Sequence, residues 1–260
     1  MATEDGDAVG PIRAVDRVIS VLELFGEHQE MTMTEIARAC GLSEPTVIRY
    51  LRALAAHGWI VHQPTGAYHL GIPLYKLGQR AVADLDVRRV ARPPMDELLD
   101  LYGETVNLAI RQGDVIVVIE SLESSSAIRR GASIGEQDYW FSSGLGKSIL
   151  ACLPRSEVLR LRADAKLVTL TEKTLTSLPA LFADLDQVRA NGYSLDNEES
   201  EVGLMCVASA IHDRTGAPRY ALSVSGPAER IRSALERGLG DDVAKAARAI
   251  EAKLGHSVSA

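Results

Sequence analysis

The chain has 260 residues, of which 46% are apolar and 24% charged, and its formal net charge is −7. That length and balance describe a globular protein of one large or two ordinary domains, and no apolar run approaches the roughly 20 residues of a membrane span. The acidic balance argues against a protein that coats nucleic acid along its whole surface.

Residues 1–10 are acidic and have no apolar core, so they read as a disordered tail and not as a secretory signal. Ala14 to Phe25 repeats Val15, Val18, Ile19, Leu22 and Phe25 at three- and four-residue steps, the pattern of a supporting helix. Residues 31–59 then read as helix, tight turn, helix. Thr32 and Glu35 form a capping box, Ile36, Ala37 and Cys40 give an apolar face, and Gly41 closes the first helix. Ser43 is the N-cap of the second, with Pro45 in its first turn. Val47, Leu51, Leu54 and Ala55 cluster on one side of that helix. Pro45, Thr46, Arg49, Arg52 and Ala53 fall on the other. This is the division of labour in a helix-turn-helix, with one face for packing and one for a DNA major groove. Trp59–His62 and Ala67–Leu70 read as two strands joined by Gln63-Pro64-Thr65-Gly66, a type I turn signature. The hairpin makes the motif a winged helix, with His62, Thr65 and Tyr68 placed to touch phosphates.

Pro73–Arg80 is a short helical piece. Asp86–Tyr102 is a longer one whose Pro93-Pro94 pair predicts a kink or two abutting helices. The expected domains are 11–78 for DNA binding, 79–90 as a stiff helical linker and 91–256 as a second domain. In that domain Glu104–Arg111, Val115–Leu122 and Ala127–Gly131 are strand-like. Gly146–Leu153 starts a helix at a glycine-rich turn, and Leu178–Ala190 is a helix capped by Ser177. Gly203–Ile211 and Tyr220–Ser225 are an apolar strand pair, and Ala228–Leu254 is helical with a break near Gly238. Hairpin-linked strands with interspersed helices predict an α+β fold with a mostly antiparallel sheet.

Three stretches are candidate sites. The run Ser142–Ser148 ends in GKS but has Phe141 where a phosphate loop needs glycine, so it is no P-loop. It leaves a glycine-rich helix start, which suits a small anion or else close packing. Asp196–Gly203 is acid-rich, which reads as a solvated loop or a pocket edge. Arg129-Arg130 is a surface strand end or a counter-charge for an acidic ligand, and Tyr139-Trp140-Phe141 offers an aromatic wall. No nucleophile elbow occurs. The cysteines Cys40, Cys152 and Cys206 have no zinc spacing and fit reduced thiols of a cytoplasmic protein. No cofactor is indicated. Residues 11–80 carry seven Lys/Arg and six Asp/Glu, so the DNA-binding part is only weakly basic and needs a second copy to bind well.

TMTEIARACGLSEPTVIRYLRALAAHGWI, YHLG and YKLG, followed by GETVNLAI, GKSILA, VRANGYSLDNEESEVGLMCVASAI and ALSVSGP, resemble the IclR family of bacterial transcriptional regulators from Ile12 to Gly255. The resemblance implies a cytoplasmic homodimer or dimer of dimers on a near-palindromic DNA operator. It also implies a GAF/profilin-like effector domain that binds a small organic acid. Carried over by motif, the pocket comprises Gly144, Leu145, Asp196, Leu204 and Cys206, with Ser143 at the helix start. A histidine often stands in the family at Trp140, smaller residues at Phe141 and an apolar one at Arg130. Those departures point to an aromatic or planar acid. On this reading Arg49, Thr46 and Pro45 face the groove, with Ser43 and Arg52 near phosphates. The alternatives are a winged-helix protein–protein adaptor or an enzyme fused to a winged helix, and the latter lacks a visible nucleophile or nucleotide loop.

Overall fold

The computed structural model describes residues 13–83, 86–129, 133–164 and 169–255. The expected tail, residues 1–10, lies outside them. The chain divides into two compact units, Met1–Asp84 and Leu85–Ala260.

The first unit runs α1 (Arg13–Glu23), a short 3-10 turn, β1 (Met31–Thr32), α2 (Met33–Cys40), α3 (Glu44–Ala56), β2 (Ile60–His62), β3 (Ala67–Leu70) and α4 (Ile72–Ala83). Helix α2 starts where the capping box places it: Glu35 N donates to Thr32 Oγ1 at 3.4 Å and Thr32 N to Glu35 Oε2 at 2.8 Å. Gly41 ends it at φ 63°, a left-handed turn that favours glycine. Val21, Phe25, Met31, Ile36, Val47, Leu51, Leu54 and Ile60 form the core. Two expectations about α3 need correction. Ala55 is exposed, and Tyr50 is buried in its stead, its hydroxyl engaged by Arg17 of α1. Ser43 has the extended backbone of an N-cap, but its hydroxyl sits 2.8 Å from Thr46 Oγ1 and caps no amide. The wing forms as read: Gly66 N donates to Gln63 O at 3.0 Å, and β3 pairs antiparallel with both β2 and β1, a strand the sequence reading did not include.

The second unit runs α5 (Asp86–Tyr102), β4 (Thr105–Gln112), β5 (Val115–Leu122), β6 (Gln137–Asp138), α6 (Gly144–Cys152), α7 (Arg155–Asp164), α8 (Leu178–Asn191), β7 (Ser194–Asn197), β8 (Leu204–His212), β9 (Pro218–Pro227), α9 (Ala228–Glu236) and α10 (Leu239–Leu254). Its strands form one antiparallel sheet in the order β6-β5-β4-β9-β8-β7. Strand alternation sends Val106, Leu108, Ile110, Leu222 and Val224 into a core with α5, α9 and α10. The opposite face turns Ala109, Ala221, Cys206 and Ala208 toward α6 and α8. Both sides of the central strands are therefore covered, in an α+β unit.

Of the two expected outcomes at Pro93-Pro94, a kink or two abutting helices, the second does not occur: helix α5 is continuous through the pair. Each proline withholds one backbone hydrogen bond, a loss of about 1 kcal/mol. Val87, Ala91, Met95 and Leu98 stand on both sides of the pair and all enter the same core. Burial contributes about 2 kcal/mol for each large side chain, so packing outweighs the two missing bonds. The expected strand at 127–131 does not form among its described residues, which are bends and loop up to Arg129. Residues 130 and 131 lie outside the described set.

Candidate functional site

In the first unit, Pro45, Arg49 and Arg52 lie at steps of four and three residues on one exposed side of α3, with Ser43 exposed just ahead of them. Thr46 is half-buried, its hydroxyl held by Ser43. Thr65 is exposed at the wing's tip, where Oγ1 accepts Ala67 N at 3.5 Å. Tyr68 is half-buried against His62, with ring centroids 4.5 Å apart. The structure thus places two arginines on the helix face and a hydroxyl and a phenol on the wing, the groups with which a winged helix addresses bases and phosphates.

In the second unit, helix α6 begins under tight constraint. Ser143 Oγ accepts Gly146 N at 3.0 Å and donates to Tyr139 O at 2.6 Å. A side chain at Gly144 would stand 2.9 Å from Cys206 Sγ, and one at Gly146 would stand 2.3 Å from Tyr139 O and 2.4 Å from Trp140 O. Both glycines let the helix start approach the sheet and the preceding loop.

Beside this helix start is a cavity of about 20 Å³, room for about one water-sized group. Ser143, Leu145, Asp196 and Cys206 line it, and Gly144 abuts it through Cys206. The other expected residues fall elsewhere. Leu204 is half-buried at the start of β8 and does not line the cavity. Trp140 belongs to the core with Phe141, its indole N–H donating to Asp114 O at 2.8 Å and its ring 5.5 Å from the Arg111 guanidinium. The expected aromatic wall therefore does not face the cavity: Trp140 and Phe141 pack inward and Tyr139 is exposed. Arg130 lies outside the described residues.

Seven lining residues were not among the expected site residues: Asn107 on β4, Val118 on β5, Glu136, Gln137 and Asp138 at β6, and Ser223 and Ser225 on β9, although Asn107, Ser223 and Ser225 stand within the motifs GETVNLAI and ALSVSGP. Asn107 Nδ2 donates to Ser225 Oγ at 3.3 Å and Asn107 Oδ1 accepts from Ser121 Oγ at 2.7 Å. Ser223 Oγ, in a residue only 1% exposed, has no hydrogen-bond partner. An unpaired buried hydroxyl costs roughly 1–3 kcal/mol, so its presence in a cavity wall marks a place for a polar ligand atom. The signal was present in Leu222-Ser223-Val224-Ser225, serines alternating with apolar residues in a strand whose two faces are both buried.

The acid-rich run is a built structure. Asp196 is fully buried and its carboxylate accepts from Glu199 N at 2.7 Å, Ser200 N at 3.2 Å and the Ser200 hydroxyl. Burial pushes Asp196 up, against those hydrogen bonds and the charge of Lys147. Lys147, the lysine of the GKS run, is 0% exposed and lies 2.5 Å from Glu199 Oε1 and 3.2 Å from Asp184 Oδ2. Glu199 is pushed up to about 7, because burial outweighs the attraction of Lys147, and Asp184 and Asp196 add repulsion. Thus α6, α8 and the 196–203 loop are pinned together by one buried cation behind the cavity.

Residues 79–252 match the family model for the bacterial transcriptional regulator IclR C-terminal domain, and residues 14–64 match the IclR helix-turn-helix domain. The chain is 35% identical over 249 residues to the HTH-type transcriptional regulator KdgR of Escherichia coli, covering 94% of each. It is 35% identical over 245 residues to the HTH-type transcriptional repressor AllR of the same species, covering 94% of this chain and 90% of that one. Among solved structures, an IclR homologue from Microbacterium hydrocarbonoxydans complexed with 4-hydroxybenzoate aligns with a TM-score of 0.82 over 93% of this chain and 98% of that one. Their identity is 24%, so this likeness concerns the fold.

Proposed function

The chain belongs to the IclR family of DNA-binding transcriptional regulators, and from that premise we propose that it is a repressor whose second unit binds a small organic acid at the start of α6. The observation that carries the ligand site is the unpaired Ser223 hydroxyl, buried in a cavity that also has the α6 helix start and Asp196 on its wall. The α6 amides suit a carboxylate. Ser223, Asn107 and Asp196 suit a hydroxyl or carbonyl oxygen on the same molecule. Repression is supported by the likeness to AllR.

On the DNA side, Arg49, Thr46 and Pro45 address base edges, and Ser43, Arg52, Thr65 and Tyr68 address phosphates and sugars. With seven basic and six acidic residues in 11–80, one copy binds weakly. A homodimer or dimer of dimers on a near-palindromic operator supplies the rest of the affinity. The protein acts in the cytoplasm, and no helix among the described residues is long and apolar enough to cross a membrane.

Thermal-shift screening over glyoxylate, pyruvate, short hydroxy acids and benzoates tests the ligand class. Stabilisation of the wild type that is reduced in Ser223→Ala is the expected result. No stabilisation by any carboxylic acid contradicts the site. A second reading, an aromatic acid, is supported by the 4-hydroxybenzoate complex of the structural neighbour. It requires the cavity to widen well beyond its present 20 Å³, and benzoates outperforming the short acids in the same screen would favour it.

A further inference from the structure

A second cavity, about 450 Å³, opens on the same unit at the far end of α6. Its volume is that of a small-ligand cleft, and its wall joins residues far apart in sequence. Cys152, the last residue of α6, is exposed; its thiol donates to Ser148 O at 3.5 Å, and the side chain stands beside the His212 imidazole in the cavity wall. His212, at the end of β8, is held in turn by Glu251 of α10: Nδ1 lies 2.6 Å from Oε1, and the same oxygen accepts the His212 backbone N–H at 2.7 Å. Arg189 of α8 and Arg248 of α10 stand on the rim, both exposed. Arg189 is fixed there by donating Nε–H to Ala151 O at 2.7 Å.

An exposed thiol in a cavity wall, beside an imidazole that a carboxylate orients, is placed to meet a small disulfide. Arg248 beside it provides charge for a carboxylate, with Arg189, itself ion-paired with Asp186, next to it on the rim. We propose that Cys152 is a modification site that forms a mixed disulfide with a low-molecular-weight disulfide bearing carboxylates, of the glutathione type. The Cys152 sulfur attacks one sulfur of the disulfide, and the new S–S bond forms as the old one breaks. The proton of the Cys152 thiol is released to solvent before attack, and the departing sulfur takes up one proton in its place. One thiol and one disulfide enter, and one mixed disulfide and one thiol leave, so no other oxidant is required. Glu251 is a positioning residue: it holds the ring and does not touch the reacting sulfurs. Cys40 is partly buried and Cys206 buried, and they serve as internal controls.

The test is intact-mass spectrometry with peptide mapping of the full chain exposed to oxidised glutathione. One adduct is expected, on Cys152, forming at least about tenfold faster than on Cys152 of the urea-denatured chain at the same pH. Cys152→Ser removes it, and His212→Gln slows it by about tenfold. Equal rates in folded and denatured chain, or first reaction at Cys40 or Cys206, overturn the proposal, and so does an unchanged rate in a folded His212→Gln variant. The folded-against-denatured comparison stands if that variant does not fold. Arg248→Glu is expected to slow oxidised glutathione while leaving neutral bis(2-hydroxyethyl) disulfide unaffected. Equal effects on both overturn the carboxylate recognition.

Discussion

Replacing Lys147 by Met removes a cation that is 0% exposed and lies 2.5 Å from Glu199 and 3.2 Å from Asp184. At an effective dielectric of ~20, those contacts give gross attractions of about 7 and about 5 kcal/mol. Most of this offsets desolvation of the buried ions, and losing one partner of such a cluster costs about 3–5 kcal/mol net when the remaining charge stays uncompensated. Glu199 sets the pH dependence. Its folded value, about 7, stands above its ordinary 4.5, so the wild type loses stability as pH rises from 4.5 to 7 and levels off above that. Without Lys147 the folded value climbs further. The variant then continues to lose about 1.4 kcal/mol per pH unit above pH 7, where the wild type no longer does. We expect a deficit of about 1–2 kcal/mol at pH 6 and about 3–4 kcal/mol at pH 8, read by urea denaturation followed by circular dichroism. Glu199→Gln in the Lys147→Met background is expected to abolish the excess pH dependence. A variant as stable as the wild type at pH 8, or a double variant with the pH slope of the single one, excludes this role for Lys147 and Glu199.

Ser223→Ala removes an unpaired buried hydroxyl. It is expected to raise stability by about 1 kcal/mol while weakening acid binding in calorimetry, a pairing of effects that a purely structural serine does not produce. Gly146→Ala drives a methyl group against the carbonyls of Tyr139 and Trp140 and is expected to cost about 3 kcal/mol by thermal denaturation. Cys152 and Glu251 hold His212 up to about 10, above its ordinary 6.5. Its contribution to stability is therefore complete below pH 6.5 and lost as pH rises through 10, and melting curves of His212→Gln are expected to lack that decline. Arg49→Ala is expected to weaken operator binding by about tenfold or more in gel shifts, with acid-induced stabilisation unchanged.

Local chemistry made the first unit legible. The Thr32–Glu35 box, the Gly41 stop and the Gln63–Gly66 turn each act over a few residues, and the structure realises them. Where packing between elements decides, the sequence is silent or misleading. Tyr50 is buried with Arg17 of another helix at its hydroxyl, and α5 crosses two prolines because both of its ends share one core. The same divide runs through the ligand site. Ser143, Gly144 and Leu145 belong to a contiguous glycine-rich motif and were visible. Asn107, Ser223 and Ser225 are brought to the cavity by the register of β4 with β9, which no single stretch encodes. Trp140 illustrates the reverse error, since a run of three aromatics does not say which ring turns inward. Cys152, His212 and Glu251 meet only because α6, β8 and α10 converge.

On this mechanism a DNA reader in the first unit answers to an acid bound in the second. The most direct measurement is fluorescence anisotropy of the operator, defined by footprinting, titrated with the full chain in the presence and absence of the acid that gives the largest thermal stabilisation. The predicted result is a change of at least about tenfold in apparent operator affinity, a coupling of about 1.4 kcal/mol, reduced in Ser223→Ala and retained, at weaker overall binding, in Arg49→Ala. An acid that saturates the wild type and leaves its operator affinity unchanged would contradict the claim.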